Sequence, residues 1–371
     1  MSSIKFSTRS SRKLLGRTIQ SIRIGLAARI TRWIRKADKL DYESASGDAH
    51  LWDVWHGDQP FSWYVEHLDY RLSHRNQDLG NITIARYLAS MFKMPNGFEN
   101  WAYLSQVMHG EGMKVAAESY RCNYPRTRGV LYWQLNDNWP TISGSSMDYF
   151  GRWKALQYMV RHFFNPVLVC GRVEGARVKI WGVNDLLQEV PGTLEWALAR
   201  FDGTEIKRGA QDVLLPTNGS TLLAELDLAH VVGENPEHTT YRDTNYANRA
   251  RYYLTYRLVQ GECVLSSNIS FFAPFKYLAL EQPQLRCQVA KENDCLVVTI
   301  AAERFAAFVE LGLANDYARF SDNYFHLLPG KLKKIQIVEC SLVEEEVSRR
   351  FYVKSLFHSF AEDVSLPAKC C

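Results

Sequence analysis

The spacing of apolar positions changes along this chain, and each change marks an element. From Asn100 to Tyr120, Trp101, Leu104, Val107, Met108, Val115 and Ala116 recur at helical intervals, which predicts an amphipathic helix with one face on a core. Arg152 to Phe164 predicts a second helix. Between them, Val130 to Trp133 is a short continuous apolar run that stops abruptly at Gln134. Such a run is expected of a strand buried on both faces. After Asn165-Pro166 the period shortens to two. Segments such as ARVKIWGVN and TLEWALARF, separated by Gly, Asn and Asp turns, predict a β-sandwich. A second strand series starts near Pro283 and runs through CLVVTIAAE, AAFVELGL and KKIQIVEC, predicting another sandwich from about residue 276. No short-period repeat is present.

The residues just past the first apolar run carry the candidate chemistry. Trp133, Asn136, Asp137 and Trp139 fall at the carboxyl end of the expected strand, where a flat indole lies beside amide and carboxylate groups. A pyranose has apolar C–H faces and a hydroxyl rim, so this set suits a sugar. The competing reading is a core aromatic cluster with a capped turn, in a chain that has 10 Trp and 19 Tyr. For Asp137 the competing role is loop ordering, by accepting backbone N–H groups or pairing with Arg.

Composition narrows the function classes. The formal net charge of +4 comes from the leader, because ten Lys and Arg fall within residues 1–37 and the first acidic residue is Asp38. The remainder is mildly acidic, so no nucleic-acid partner is expected: the basic residues form a terminal tail and not a patch interleaved with base-stacking aromatics. In that leader Ile19, Ile22, Leu26, Ile30 and Trp33 fall at helical spacing. This is the pattern of a basic amphipathic helix, compatible with a mitochondrial transit peptide, a membrane-surface helix or a disordered non-family extension, and it does not read as a secretory signal. No run of 18 apolar residues occurs, so no transmembrane segment is expected. Eight Cys are scattered without a CxxC pair and the His form no HExxH pair, so no metal site is expected. The cysteines read as thiols, with one or two disulfides between sandwich strands in a secreted protein. Sequons stand at Asn81, Asn218 and Asn268.

Several long motifs occur in one order. YWQLNDNWP is followed by YFGRWKALQY, HLWDVWHGDQPFSWY (50–64) and GNITIARYLASMFKMPNGFENWAYLSQV (80–107) lie upstream, and FSDNYFHLLPGK (320–331) lies downstream. Together they resemble the C-terminal half of β-mannosidases of glycoside hydrolase family 2. The first pair is similar to that family's eighth barrel strand and following helix. The resemblance implies a multidomain α/β plus all-β fold. Residues 41–165 would be the C-terminal portion of a (β/α)₈ barrel, followed by Ig-like β-sandwiches at 166–275 and 276–371, with 1–40 as a basic leader. It also implies retaining exo-hydrolysis of terminal β-D-mannose from oligosaccharides, with no cofactor, and places Trp55 and His56 on the rim that Trp133 forms.

Retaining glycosidases need two carboxylates about 5–5.5 Å apart. The resembled family keeps the acid in an Asn-Glu motif well before the His50 segment and the nucleophile in a Ser-Glu-Phe-Gly strand soon after it, and neither motif occurs in these 371 residues. Glu66 is the nearest candidate nucleophile, with flanks that do not match, so no catalytic residue is assigned. The expectation is a truncated, weakly active or inactive glycosidase. The alternatives are a non-catalytic remnant that binds carbohydrate or a partner, and an enzyme completed by an N-terminal half from another chain. A barrel needs about 250 residues, so the barrel portion is expected to be incomplete while the sandwiches fold independently.

Overall fold

The computed structural model describes residues 80–95, 97–138, 143–233 and 246–360. Among the described residues, three helices come first: α1 (Gly80–Met91), α2 (Phe98–Cys122) and α3 (Ala155–Phe163). In α2, Glu99 in the first turn and Arg121 in the last complement the helix dipole. α2 and α3 approach closely at Gly110, where a Cβ would collide with Met159 Sδ.

Fourteen strands follow. β1 (Val167–Glu174), β2 (Arg177–Asn184), β3 (Val190–Arg200), β4 (Glu205–Leu215), β5 (Gly219–Asp227), β6 (Tyr252–Gln260) and β7 (Cys263–Phe271) form two antiparallel sheets, ordered β1-β2-β5 and β4-β3-β6-β7. Their inward residues, among them Val169, Val178, Ile180, Leu194, Leu198 and Leu254, form a core of their own. β8 (Leu285–Glu292), β9 (Cys295–Ala302), β10 (Ala306–Leu313), β11 (Ala318–Phe320), β12 (Phe325–Leu327), β13 (Leu332–Cys340) and β14 (Phe351–Lys354) form the second sandwich, with sheets β12-β10-β14 and β11-β13-β9-β8.

The helices are not a separate layer beside the second sandwich. One continuous core joins Leu88, Leu104, Val107, Tyr158 and Phe163 of the helices to Phe305, Phe308, Val309, Phe320 and Leu327 of the strands. Tyr103 of α2 donates its hydroxyl to the Phe308 carbonyl, and Phe320 N–H donates to the Tyr158 hydroxyl. The second sandwich therefore shares its core with the helices, which bury its β10 face. Between the two sandwiches, Phe201, Tyr253 and Phe271 meet Phe305 and His326 ring against ring.

The expected strand at Val130–Trp133 is absent. The segment is irregular, with Leu131 98% and Trp133 87% exposed. A strand buried on both faces needs a hydrogen-bonded neighbour on each edge, and among the described residues no strand pairs with this one. Val130 and Tyr132 pack against the core, the Tyr132 hydroxyl 3.0 Å from Ser146 Oγ and its ring stacked on Phe164. Within 41–165 the described residues form helices and loops, so the barrel strands expected there are not found among them.

Candidate functional site

The segment between α2 and α3 carries the residues singled out above, and a buried carboxylate organises it. Asp137 is 3% exposed. Its Oδ2 lies 2.7 Å from Ser145 Oγ and 3.0 Å from Lys154 Nζ. Lys154 also donates to Ser145 Oγ at 2.7 Å and Ser143 Oγ at 3.2 Å, so its three N–H groups meet three acceptors. Lys154 is the N-cap residue of α3, where a cation alone would oppose the helix dipole and the Asp137 carboxylate offsets it. Gln106 of α2 accepts the first helical N–H, from Ala155, at 3.1 Å. Gly144 closes the loop: a Cβ there would press within 3.1 Å of the Trp133 carbonyl.

Asp137 Oδ2 thus meets a lysine and a serine of the same segment, and not the Arg or backbone N–H groups of the competing reading. The second loop carboxylate is also engaged locally, since Asp148 Oδ1 accepts the N–H groups of Phe150 and Arg152. On α2, Glu118 accepts from Asn268 Nδ2 at 2.7 Å. Burial raises its carboxyl above the ordinary range, against the pull of Lys114 and Asn268. The same bond occupies the amide of the Asn268 sequon.

Trp133 and Asn136 stand on the outer side of this loop, and Asn136 Nδ2 donates to the Asp137 carbonyl at 3.3 Å. The structure therefore brings Trp133, Asn136 and Asp137 into one loop but sends the carboxylate inward and the indole outward. Trp139, Trp55, His56 and Glu66 lie outside the described residues. Sequence reasoning missed Lys154, Ser143, Ser145 and Gln106. A signal existed for one of them: a lysine at a helix start needs a nearby anion, and Asp137 is the buried one. A second cleft, lined by Arg121, Tyr124, Arg128, Asp185 and Asn218, is small and internally bonded, with Arg128 donating to the Tyr124 hydroxyl and to Asn218 Oδ1. Among the described residues, no helix is long and apolar enough to cross a membrane.

Comparison with known proteins places this arrangement. Residues 176–277 match the family described as Mannosidase Ig/CBM-like domain, and residues 280–359 match an Ig-fold domain of mannosidases. β-Mannosidase from Bos taurus is 27% identical over 298 residues, which cover 76% of this chain and 33% of the relative. β-Mannosidase B from Aspergillus niger is 27% identical over 360 residues, covering 81% and 40%. The chain is related to the β-mannosidases of glycoside hydrolase family 2. It spans about a third to two fifths of the length of these relatives. The fold agrees with the crystal structure of β-D-mannosidase from Dictyoglomus thermophilum, at a TM-score of 0.66 and 24% identity over 84% of this chain and 40% of that one. An exo-chitosanase from Amycolatopsis orientalis shares the fold at a TM-score of 0.54 and 15% identity, over 73% and 35%. Both sandwiches are Ig-like.

Proposed function

We propose that this chain is the C-terminal part of a β-mannosidase-like exo-glycosidase, supplying a sugar-stacking wall and its scaffold but not the retaining chemistry. In this reading residues 41–165 correspond to the end of a (β/α)₈ barrel, followed by sandwiches at 166–275 and 276–371. The terminal β-mannose of an oligosaccharide is the substrate class, by relationship to the named mannosidases. The observation that carries the reading is the Trp133 indole, 87% exposed on a loop whose fold is set from beneath by Asp137, Ser145 and Lys154. An aromatic face presented on an ordered loop stacks on a pyranose without first having to be ordered itself. Hydrolysis needs two opposed carboxylates. Asp137 through Oδ2 and Asp148 through Oδ1 are each bonded within their own loop, which favours a structural role for both. A segment bearing the acid and the nucleophile, supplied by another chain, would complete the site.

Two measurements test this. The purified chain should release no nitrophenol from a nitrophenyl β-mannoside above a heat-killed control, and steady turnover would overturn the assignment. Mannose should perturb tryptophan fluorescence with a Kd weaker than about 1 mM, since one stacking wall buries little of a monosaccharide. Trp133→Ala should abolish that response. A tight complex would favour the second reading, a non-catalytic carbohydrate-binding protein.

A further inference from the structure

Two thiols meet where α2 ends on the first sandwich. Cys122 is the last residue of α2 and Cys170 lies in β1, so 47 residues separate them in sequence. The Cys122 side chain lies close enough to the Cys170 thiol to raise its pKa. Both side chains pack in a small apolar cluster with Leu168, Val183 and Trp181. Cys170 is buried and Cys122 half-buried, and both are free thiols. The backbone around them is held from several sides. Ser220 Oγ of β5 donates to the Cys122 carbonyl at 3.0 Å, and the adjacent Arg121 donates to the Phe163 and Asn165 carbonyls. The two residues are thus held in one cluster by contacts that do not depend on a bond between their sulfurs.

We infer that Cys122 and Cys170 are a redox-active pair that closes to a disulfide on exchange with a small disulfide such as glutathione disulfide, locking the helical layer to the first sandwich. The half-buried Cys122 thiolate attacks one glutathione sulfur and expels a glutathione thiolate. Cys170 then loses its proton and attacks Cys122 Sγ, expelling the second glutathione. Two protein thiols are oxidised to one disulfide, and one glutathione disulfide is reduced to two thiols. The adjacent Cys122 side chain, and then burial, hold the Cys170 thiol above its usual range, so the second step quickens as pH rises. The chain leaves α2 at Cys122 to enter the segment that carries Trp133, so the bond fixes the root of that segment.

The full chain is incubated with glutathione disulfide at about pH 7 and about pH 9 and its remaining thiols are alkylated. It is then digested with trypsin and mapped by mass spectrometry without reduction. The expected product joins peptide 122–126 to peptide 162–172, forms faster at the higher pH, and raises the melting temperature by roughly 5–10 °C. Cys170→Ser should stop at a glutathione adduct on Cys122 and lose the thermal shift. Recovery of both thiols in alkylated form, or of Cys122 joined to any cysteine other than Cys170, would overturn the inference. The mapping is done on the unsubstituted chain, so the outcome does not depend on a variant folding.

Discussion

Asp137 shows how one side chain's surroundings decide its role. A carboxylate beside two tryptophans in a sugar-like motif is as suited to touching a hydroxyl as to holding a loop, and only the position of Lys154 separates the two. Sequence made Asp137 legible as a candidate but not its partner, because 16 residues lie between them and contacts between loop residues have no period. The pair is largely buried, with the Asp137 side chain 1% and that of Lys154 20% exposed. Removing one member leaves the other uncompensated. Asp137→Ala is therefore expected to cost the loop about 2–3 kcal/mol, at the low end for a buried pair because Lys154 keeps some water. That corresponds to roughly a 30- to 150-fold rise in the open population, read as faster tryptic cleavage after Arg152 and Lys154 under conditions where cleavage tracks the open form. Unchanged cleavage would show that the serines and Gln106 hold the loop without the ion pair.

Two mainly apolar segments had two outcomes at the level of elements. Ala306 to Leu313, interrupted by Glu310 and Gly312, and Val130 to Trp133 both read as strands, the second as one buried on both faces. The first is β10, paired with β12 and β14 and covered by α2. The second has no edge partner among the described residues, and Leu131 and Trp133 lie exposed. Periodicity reports what a segment is able to bury, while pairing depends on distant residues that the run itself does not encode. The helices were more legible because their hydrogen bonds are internal: Asn100–Tyr120 and Arg152–Phe164 correspond to α2 and α3 within a few residues. How α2 is anchored was not legible. Arg121 is 3% exposed, and its guanidinium reaches the Phe163 carbonyl at 2.6 Å, the Asn165 carbonyl at 2.8 Å and Asp185 at 2.7 Å. Asp185 is 54% exposed, so the ion pair contributes little, and the two carbonyls at the end of α3 matter more. Arg121→Met should cost about 2–4 kcal/mol in urea unfolding, since it strips both carbonyls of their donor. Arg121→Lys should recover only part, because an ammonium does not reproduce the fork. Full recovery by lysine would mean that charge, and not geometry, holds this joint.

At the scale of the whole molecule, the shared core makes stability depend on pH through groups far from Trp133. His326 sits among Phe271, Phe305 and Phe308 between the sandwiches, and burial, then Lys114 and Lys333, lower its pKa to about 3. Burial lowers that of His358 to about 4. In the unfolded chain both titrate near 6.5. Between those values the unfolded state binds more protons than the folded one, so stability rises with pH. Each contribution is complete above about pH 6.5 and is lost as the pH falls towards the folded value, with a slope of about 1.4 kcal/mol per pH unit for each His. Asp322 adds a loss in the same direction at lower pH. Against an opposing burial effect, His162 and Lys333 bring its pKa down to about 2, so its contribution is present above about 3.8 and fades below. At the alkaline end burial raises Tyr253 to about 12, so stability falls again as pH climbs through 10 towards 12. Urea midpoints should therefore be flat from about pH 7 to 9 and drop steeply below 6.5. His326→Phe, which keeps the aromatic packing and removes the proton site, should lose close to half of the slope between pH 6.5 and 4, and equal slopes in the two proteins would exclude His326 as a source. This bears on the functional test directly. A chain that is already unfolding at pH 4 cannot release nitrophenol for reasons unrelated to carboxylates, so the absence of turnover counts for the proposed function only where the folded fraction, measured in the same buffer, is near one.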